Sequence, residues 1–210
     1  MAKFRDFEWP SAYRKLHEQG MFDKSKDDSG YLWLNDMEWM SADELASYEP
    51  EPTQCVETVP FAYTGGYDLW AFIDPVDDNR FPVGFCPRGD NEGIFYAPSF
   101  EGALFRQVLE FTSSCNFEPL EEGGSFFTLE DARRQLSLWR NQLNFLFHPE
   151  WVDVIDHLMT LPLKLEQQFD KPSEYDYKVL ISPNETLETF QKLVPWGLTN
   201  TSFPWQDCDE

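Results

Sequence analysis

Carboxylates are the most abundant chemistry-bearing side chains in this sequence, and they come in clusters. Asp74, Asp77 and Asp78 share one short polar stretch, and Asp90 and Glu92 share another. Glu49, Glu51 and Glu57 flank a third segment, and Glu118, Glu121 and Glu122 lie further on. Paired carboxylates can act as general acid and base when their surroundings push their acidities apart. They can hold a hard cation when spaced as in a calcium loop, or they can face the cations of a partner. The spacing Asp-x-Asp-x-Asp-Gly is absent. Taken singly, each cluster reads as a solvated turn, because Asn79, Gly89 and Asn91 stand among them. Taken together, on hairpin loops along one sheet edge, they would make a negative rim. Asp74, Asp77, Asp78, Asp90 and Glu92 are therefore the candidate partner-binding residues, with Trp39 as an aromatic at that rim.

The other reactive side chains offer less. His17, His148 and His157 have no second ligand or base at a useful spacing, so no metal site and no catalytic residue are assigned. Cys55, Cys86, Cys115 and Cys208 form no CxxC pair and fit no zinc module; the first three read as core or half-buried thiols. Gly65, Gly66 and Asp68 have the look of a phosphate cradle. No helix follows to offer its N-terminus, however. The better reading is a tight turn in which the glycines supply positive φ and Asp68 satisfies backbone groups.

The elements that must position these groups can be read from punctuation and period. Trp9 to Gly20 is a helix with Pro10 at its first position and Gly20 at its stop. Tyr31 to Leu34 has strand character. Ser41 and Glu44 form a capping box that opens a short helix through Tyr48. Val56 to Tyr63, Leu69 to Ile73, Phe81 to Cys86 and Ile94 to Ala97 make an antiparallel meander, with Pro60 marking an edge or bulge. Helices follow from Ser99 to Thr112, from Thr128, over Trp151 to Leu161, and from the capping box Ser182-Pro183-Asn184-Glu185. Tyr175 to Ile181 reads as a late strand, and Trp196 to Glu210 as a tail with no period. The fold class expected is α+β, a central, mainly antiparallel sheet with helices packed against it and extra C-terminal helices. A boundary near Asn116 to Gly124 is weighed, but one domain over residues 1–210 is the more economical reading.

Composition narrows the function classes. The chain has 210 residues with 8 Trp, 8 Tyr and 19 Phe, which disordered chains lack. Sixteen basic residues stand against 38 acidic ones, a net charge of −22. Such a surface repels nucleic acid and anionic membrane and attracts a basic protein partner. The opening MAKFRDFEWP has no apolar targeting core, and no run reaches the ~18 apolar residues of a membrane span. A cytoplasmic protein with reduced thiols is expected.

Two stretches carry a family likeness. Leu34-Asn35-Asp36-Met37-Glu38-Trp39-Met40-Ser41-Ala42-Asp43-Glu44-Leu45 is the first. Val59-Pro60-Phe61-Ala62-Tyr63-Thr64-Gly65-Gly66-Tyr67-Asp68-Leu69-Trp70 is the second, followed by Tyr96-Ala97-Pro98-Ser99-Phe100-Glu101-Gly102. In this order they resemble the SMI1/KNR4 family, or SUKH superfamily, over about residues 31–113; the segment 116–210 lies outside the likeness. The family's turn often carries a Gly where this chain has Tyr67. The resemblance implies an α+β fold and a non-enzymatic role without a cofactor. Bacterial members look like immunity proteins that neutralise a cognate toxin domain, often a nuclease, and fungal members are regulatory scaffolds. An acidic inhibitor would meet the basic cleft of a nuclease by pairing carboxylates with its Lys and Arg. The alternatives are a regulatory scaffold or adaptor, and a hydrolase using paired carboxylates.

Overall fold

The computed structural model describes residues 7–27, 30–49, 58–73, 81–114, 117, 127–167 and 176–206. In chain order its elements are α1 (Ser11–Glu18), β1 (Glu38–Trp39), α2 (Ala42–Ser47), β2 (Thr58–Tyr63), β3 (Leu69–Ile73), β4 (Val83–Cys86), β5 (Glu92–Ala97), α3 (Phe100–Ser114), α4 (Leu129–Leu143), α5 (Pro149–Leu158), β6 (Lys164–Glu166), β7 (Tyr177–Val179), α6 (Pro183–Leu193) and β8 (Ser202–Pro204). The fold is α+β. Its elements divide into two compact units, residues 1–104 with 196–210, and residues 105–195. The division falls within α3, not near Asn116 to Gly124.

The first unit holds a six-stranded sheet in the order β1-β2-β3-β4-β5-β8, every neighbouring pair antiparallel. Its side chains alternate across the sheet, as a pleat requires. Phe72 of β3 joins Phe61, Tyr13, Trp9 and Phe100 in an aromatic core, with ring centroids 4.6–6.0 Å from that of Phe72. Ala71, Ile73 and Cys86 point the other way and pack with Phe203 and Trp205. The sheet thus buries both faces, which explains why its strands read as apolar runs more than as alternation. Pro60 has no N–H to give, and the register of β2 on β3 slips between Pro60 and Ala62. On the other side of β2 the Phe61 carbonyl accepts the backbone N–H of Met40 at 3.0 Å, continuing the β1–β2 ladder.

Phe203 fixes the sheet's last pairing. It stands opposite Gly93, and a Cβ built on Gly93 would lie 2.5 Å from the Phe203 ring. A Cβ on Gly84 would lie 2.9 Å from that ring and 2.5 Å from Ile73 Cδ1. These two glycines are there because a ring occupies the space. The aperiodic tail expected from Trp196 onward is therefore corrected over its first half: Ser202–Pro204 is a sheet strand, and Phe203 and Trp205 are buried. A second correction concerns Tyr31 to Leu34. Leu32 and Leu34 are buried, yet only a single bridge, Leu34 to Met37, forms there, and the strand begins at Glu38.

The second unit is mainly helical. Phe111 of α3 meets Trp139 of α4 edge to face at 4.9 Å, and Phe105 stacks on Trp151 of α5 at 4.7 Å. Arg140 of α4 donates through Nη2 to Asp156 Oδ2 of α5 at 2.9 Å and through Nε to its other oxygen, a two-pronged pair. Capping boxes at Thr128 with Asp131 and at Ser182 with Glu185 start α4 and α6. Strands β6 and β7 form a separate antiparallel pair. Among the described residues no helix is long and apolar enough to cross a membrane.

Candidate functional site

A group of polar side chains of the first unit gathers at one end of its sheet. The β2–β3 turn and the β4–β5 turn leave from the same end, because Leu69 stands opposite both Tyr63 and Cys86. Asp68 ties the two turns together. Its Oδ1 accepts the backbone N–H of Arg88 at 2.8 Å, and its Oδ2 accepts the hydroxyl of Thr64 at 3.0 Å. The Thr64 hydroxyl in turn accepts the N–H groups of Gly66 and Asp68 at 3.1 and 3.2 Å.

This hydrogen-bonded knot holds the residue between them in an unusual state. Tyr67 has φ +67° and is 68% exposed. Gly65 and Gly66 do not have positive φ, although the sequence reading gave that role to them. The left-handed conformation costs an L side chain roughly 1–2 kcal/mol and costs glycine nothing. Here the bulky residue carries it. The Tyr67 ring lies near-parallel to that of Tyr63, with centroids 6.2 Å apart and planes at 21°. Burial returns little to offset the strain, since two thirds of the side chain remain in solvent.

Carboxylates and the Lys24 ammonium lie beside Tyr63. Glu38 pairs with Tyr63 in the register of β1 on β2, and its Oε2 accepts from Lys24 Nζ at 3.1 Å. The Lys24 ammonium also stands 5.7 Å from the centre of the Tyr63 ring. The Tyr63 hydroxyl reaches Glu44 Oε1 at 3.5 Å, the outer limit of a hydrogen bond. Glu44 caps α2, accepting from the Ser41 hydroxyl and N–H at 2.7 Å each, and these bonds hold its carboxyl below the ordinary range. Hydrogen bonding to Glu38 raises the Lys24 ammonium above its ordinary value. Burial pushes the Tyr31 phenol up.

Of the residues singled out in the sequence, Asp90 and Glu92 are exposed and lie at this same end. Asp74, Asp77 and Asp78 lie outside the described residues, as do Glu51, Glu57, Glu118, Glu121 and Glu122. Trp39 is corrected: it is 2% exposed, donates Nε1–H to the Leu32 carbonyl at 2.6 Å and stacks on Phe22 at 4.3 Å. It belongs to the core because β1, although only two residues long, turns its apolar side chain inward.

Other reactive groups have structural uses. Cys86 is buried and its thiol is pushed up by that burial; Cys55, Cys115 and Cys208 lie outside the described residues. Asp131, Asp156 and Glu185 are held below the ordinary carboxylate range by Thr128, by Arg140 and by Lys164 with Ser182. Among the described residues no group of three His, Cys, Asp or Glu side chains could hold a metal ion. The tyrosines of the sheet end were not singled out from the sequence. The one signal for them is Tyr67 directly after Gly65-Gly66, where a further glycine would suit the turn. Set beside protein-family models, curated proteins and solved structures, the chain matches none, and its function rests on its own residues.

Proposed function

We propose that this chain acts by stoichiometric association with a basic protein partner, in the manner of an immunity protein that neutralises a toxin domain such as a nuclease, and that it uses no cofactor. The observation that carries the reading is Tyr67. A large aromatic held at φ +67° and left 68% exposed costs stability and returns almost none. Rigid exposed tyrosines are the residues that binding surfaces favour, because they bring contact area with little side-chain entropy to lose. Glu38, Glu44, Asp90 and Glu92 lie at the same sheet end, and the chain as a whole carries −22. Together they supply the field that steers a cationic protein inward and the anchor that then holds it.

The test begins with the tagged protein as bait in its native host, with captured proteins identified by mass spectrometry. A single stoichiometric partner with a basic domain is expected. Tyr67→Gly should then leave the fold as stable as before, or more so, and lower the partner's affinity by about tenfold or more, as loss of an interface aromatic does. Asp90→Lys with Glu92→Lys should mainly slow association and flatten its salt dependence. Unchanged affinity in both variants, or no partner recovered at all, refutes the reading.

A further inference from the structure

The aromatic and acidic groups around Lys24 have a geometry that defines the partner side chain they fit. We propose that Tyr63 and Glu38 form a seat for an arginine of a partner protein, and that Lys24 fills this seat in the free protein. The inference rests on the reading that the chain associates with a basic protein.

Three observations carry it. First, a cation is already bound there: Lys24 Nζ lies 3.1 Å from Glu38 Oε2 and 5.7 Å from the centre of the Tyr63 ring. Carboxylate and π-face therefore converge on one position for positive charge. Second, the occupant is loosely held. The Lys24 and Glu38 side chains are 51% and 48% exposed, and an exposed ion pair or ammonium–ring contact is readily exchanged. Third, Lys24 uses the seat incompletely. Its ammonium engages one oxygen of Glu38. A guanidinium presents a planar fork that takes both oxygens of a carboxylate and stacks on a ring, so it satisfies the same groups better.

The consequence is a competition within the molecule. Removing Lys24 should strengthen the binding of an arginine-bearing ligand, because the ligand no longer has to displace a resident cation. The probe is an octa-arginine peptide, titrated calorimetrically into the full chain at about 0.15 M salt, where remote charges are screened. Lys24→Gln should tighten binding about three- to thirtyfold, the range lost with an exposed ion pair and a cation–ring contact together. Lys192→Gln, an exposed lysine at the end of α6, makes the same change in net charge and serves as control. It should change affinity by less than about twofold, as a remote screened charge does. Adding Glu38→Gln to Lys24→Gln should abolish the gain. Circular dichroism and a thermal melt establish that each variant is folded, and Tyr63→Phe, which keeps the ring, should retain the gain. Equal effects of the two lysine substitutions, or weaker binding by Lys24→Gln, overturn the proposal. If that happens while the host partner still binds and is weakened by Tyr67→Gly, the seat is wrong and the broader reading stands.

Discussion

Close packing at Gly93 predicts the cost of a single methyl group. Gly93→Ala would place a carbon 2.5 Å from the tip of the Phe203 ring and 2.9 and 3.0 Å from its neighbouring atoms. Carbon atoms rest at about 3.5–4.0 Å, so the ring must retreat by about 1 Å or more. It has little room to do so. Phe203 is 6% exposed, lies 4.7 Å from the Phe95 ring and packs with Ile73, Cys86 and Trp205. Overpacking of this kind costs about 1–3 kcal/mol. Replacing glycine by alanine in a strand recovers about 0.5–1 kcal/mol. The net loss expected is up to about 2.5 kcal/mol, a fall in Tm of up to about 10 °C for a chain of this size. Phe203→Leu removes the ring atoms that collide, so its own cost and that of Gly93→Ala should not add. The double variant should be about 1 kcal/mol more stable than the sum of the two losses predicts. Urea unfolding followed by near-ultraviolet circular dichroism measures all four corners of this cycle. Additivity within about 0.5 kcal/mol would show that Phe203 does not cover Gly93, and the placement of β8 would fall with it.

Further outcomes can be checked in the same way. Glu185, held by Lys164 and by Ser182, has its carboxyl lowered to about 2. Its contribution is complete above the ordinary carboxylate value near 4.5 and is lost as pH falls through about 2, so wild type should lose stability relative to Glu185→Gln across that window in an acid titration of the melting temperature. Among the described residues the hydroxyl of Tyr13, buried inside an aromatic core, has no hydrogen-bond partner. Tyr13→Phe should therefore be neutral or stabilising by up to about 1 kcal/mol, measured by urea unfolding. A Cβ on Gly66 would meet nothing closer than 3.5 Å and its φ is not positive, so Gly66→Ala should shift Tm by no more than about 2 °C, whereas the sequence reading of this glycine would predict a clear loss.

Much of this architecture was legible because particular residues have only one use. Ser41 with Glu44, Thr128 with Asp131 and Ser182 with Glu185 mark three helix starts, since each pair closes a reciprocal cap that needs no tertiary contact. Leu69–Ile73 was legible to the residue, being an apolar run set between turn formers. The elements that escaped are those whose cause lies far away in sequence. Ser202–Pro204 is too short to show alternation and contains a proline, and it is a strand because β5 offers it an edge and Gly84 and Gly93 make room for its ring. Lys164–Glu166 is a strand because Tyr177–Val179 pairs with it. Tyr31 to Leu34 shows the reverse: its apolar residues are buried, yet burial alone does not make a strand. At the candidate site the carboxylates were visible by composition. The tyrosines were not, because propensity assigns positive φ to glycine, and the Thr64–Asp68 knot moves it one residue on.

The pairing of β5 with β8 also sets an order of events as the chain leaves the ribosome. Glu92 meets Pro204 only after about a hundred intervening residues have been made. Until then the outer edge of β5 has no strand beside it, and Gly93 and Gly84 leave a shallow trough where Phe203 belongs. An open edge of this kind invites a neighbouring chain in the same polysome. The segment 105–195, a compact unit of its own, has to be synthesised before the last strand can arrive. Synthesis rate through residues 105–195 would then govern how long the unfinished sheet stays exposed, and slowing it should raise the aggregated fraction of the nascent protein without altering the stability of the finished one.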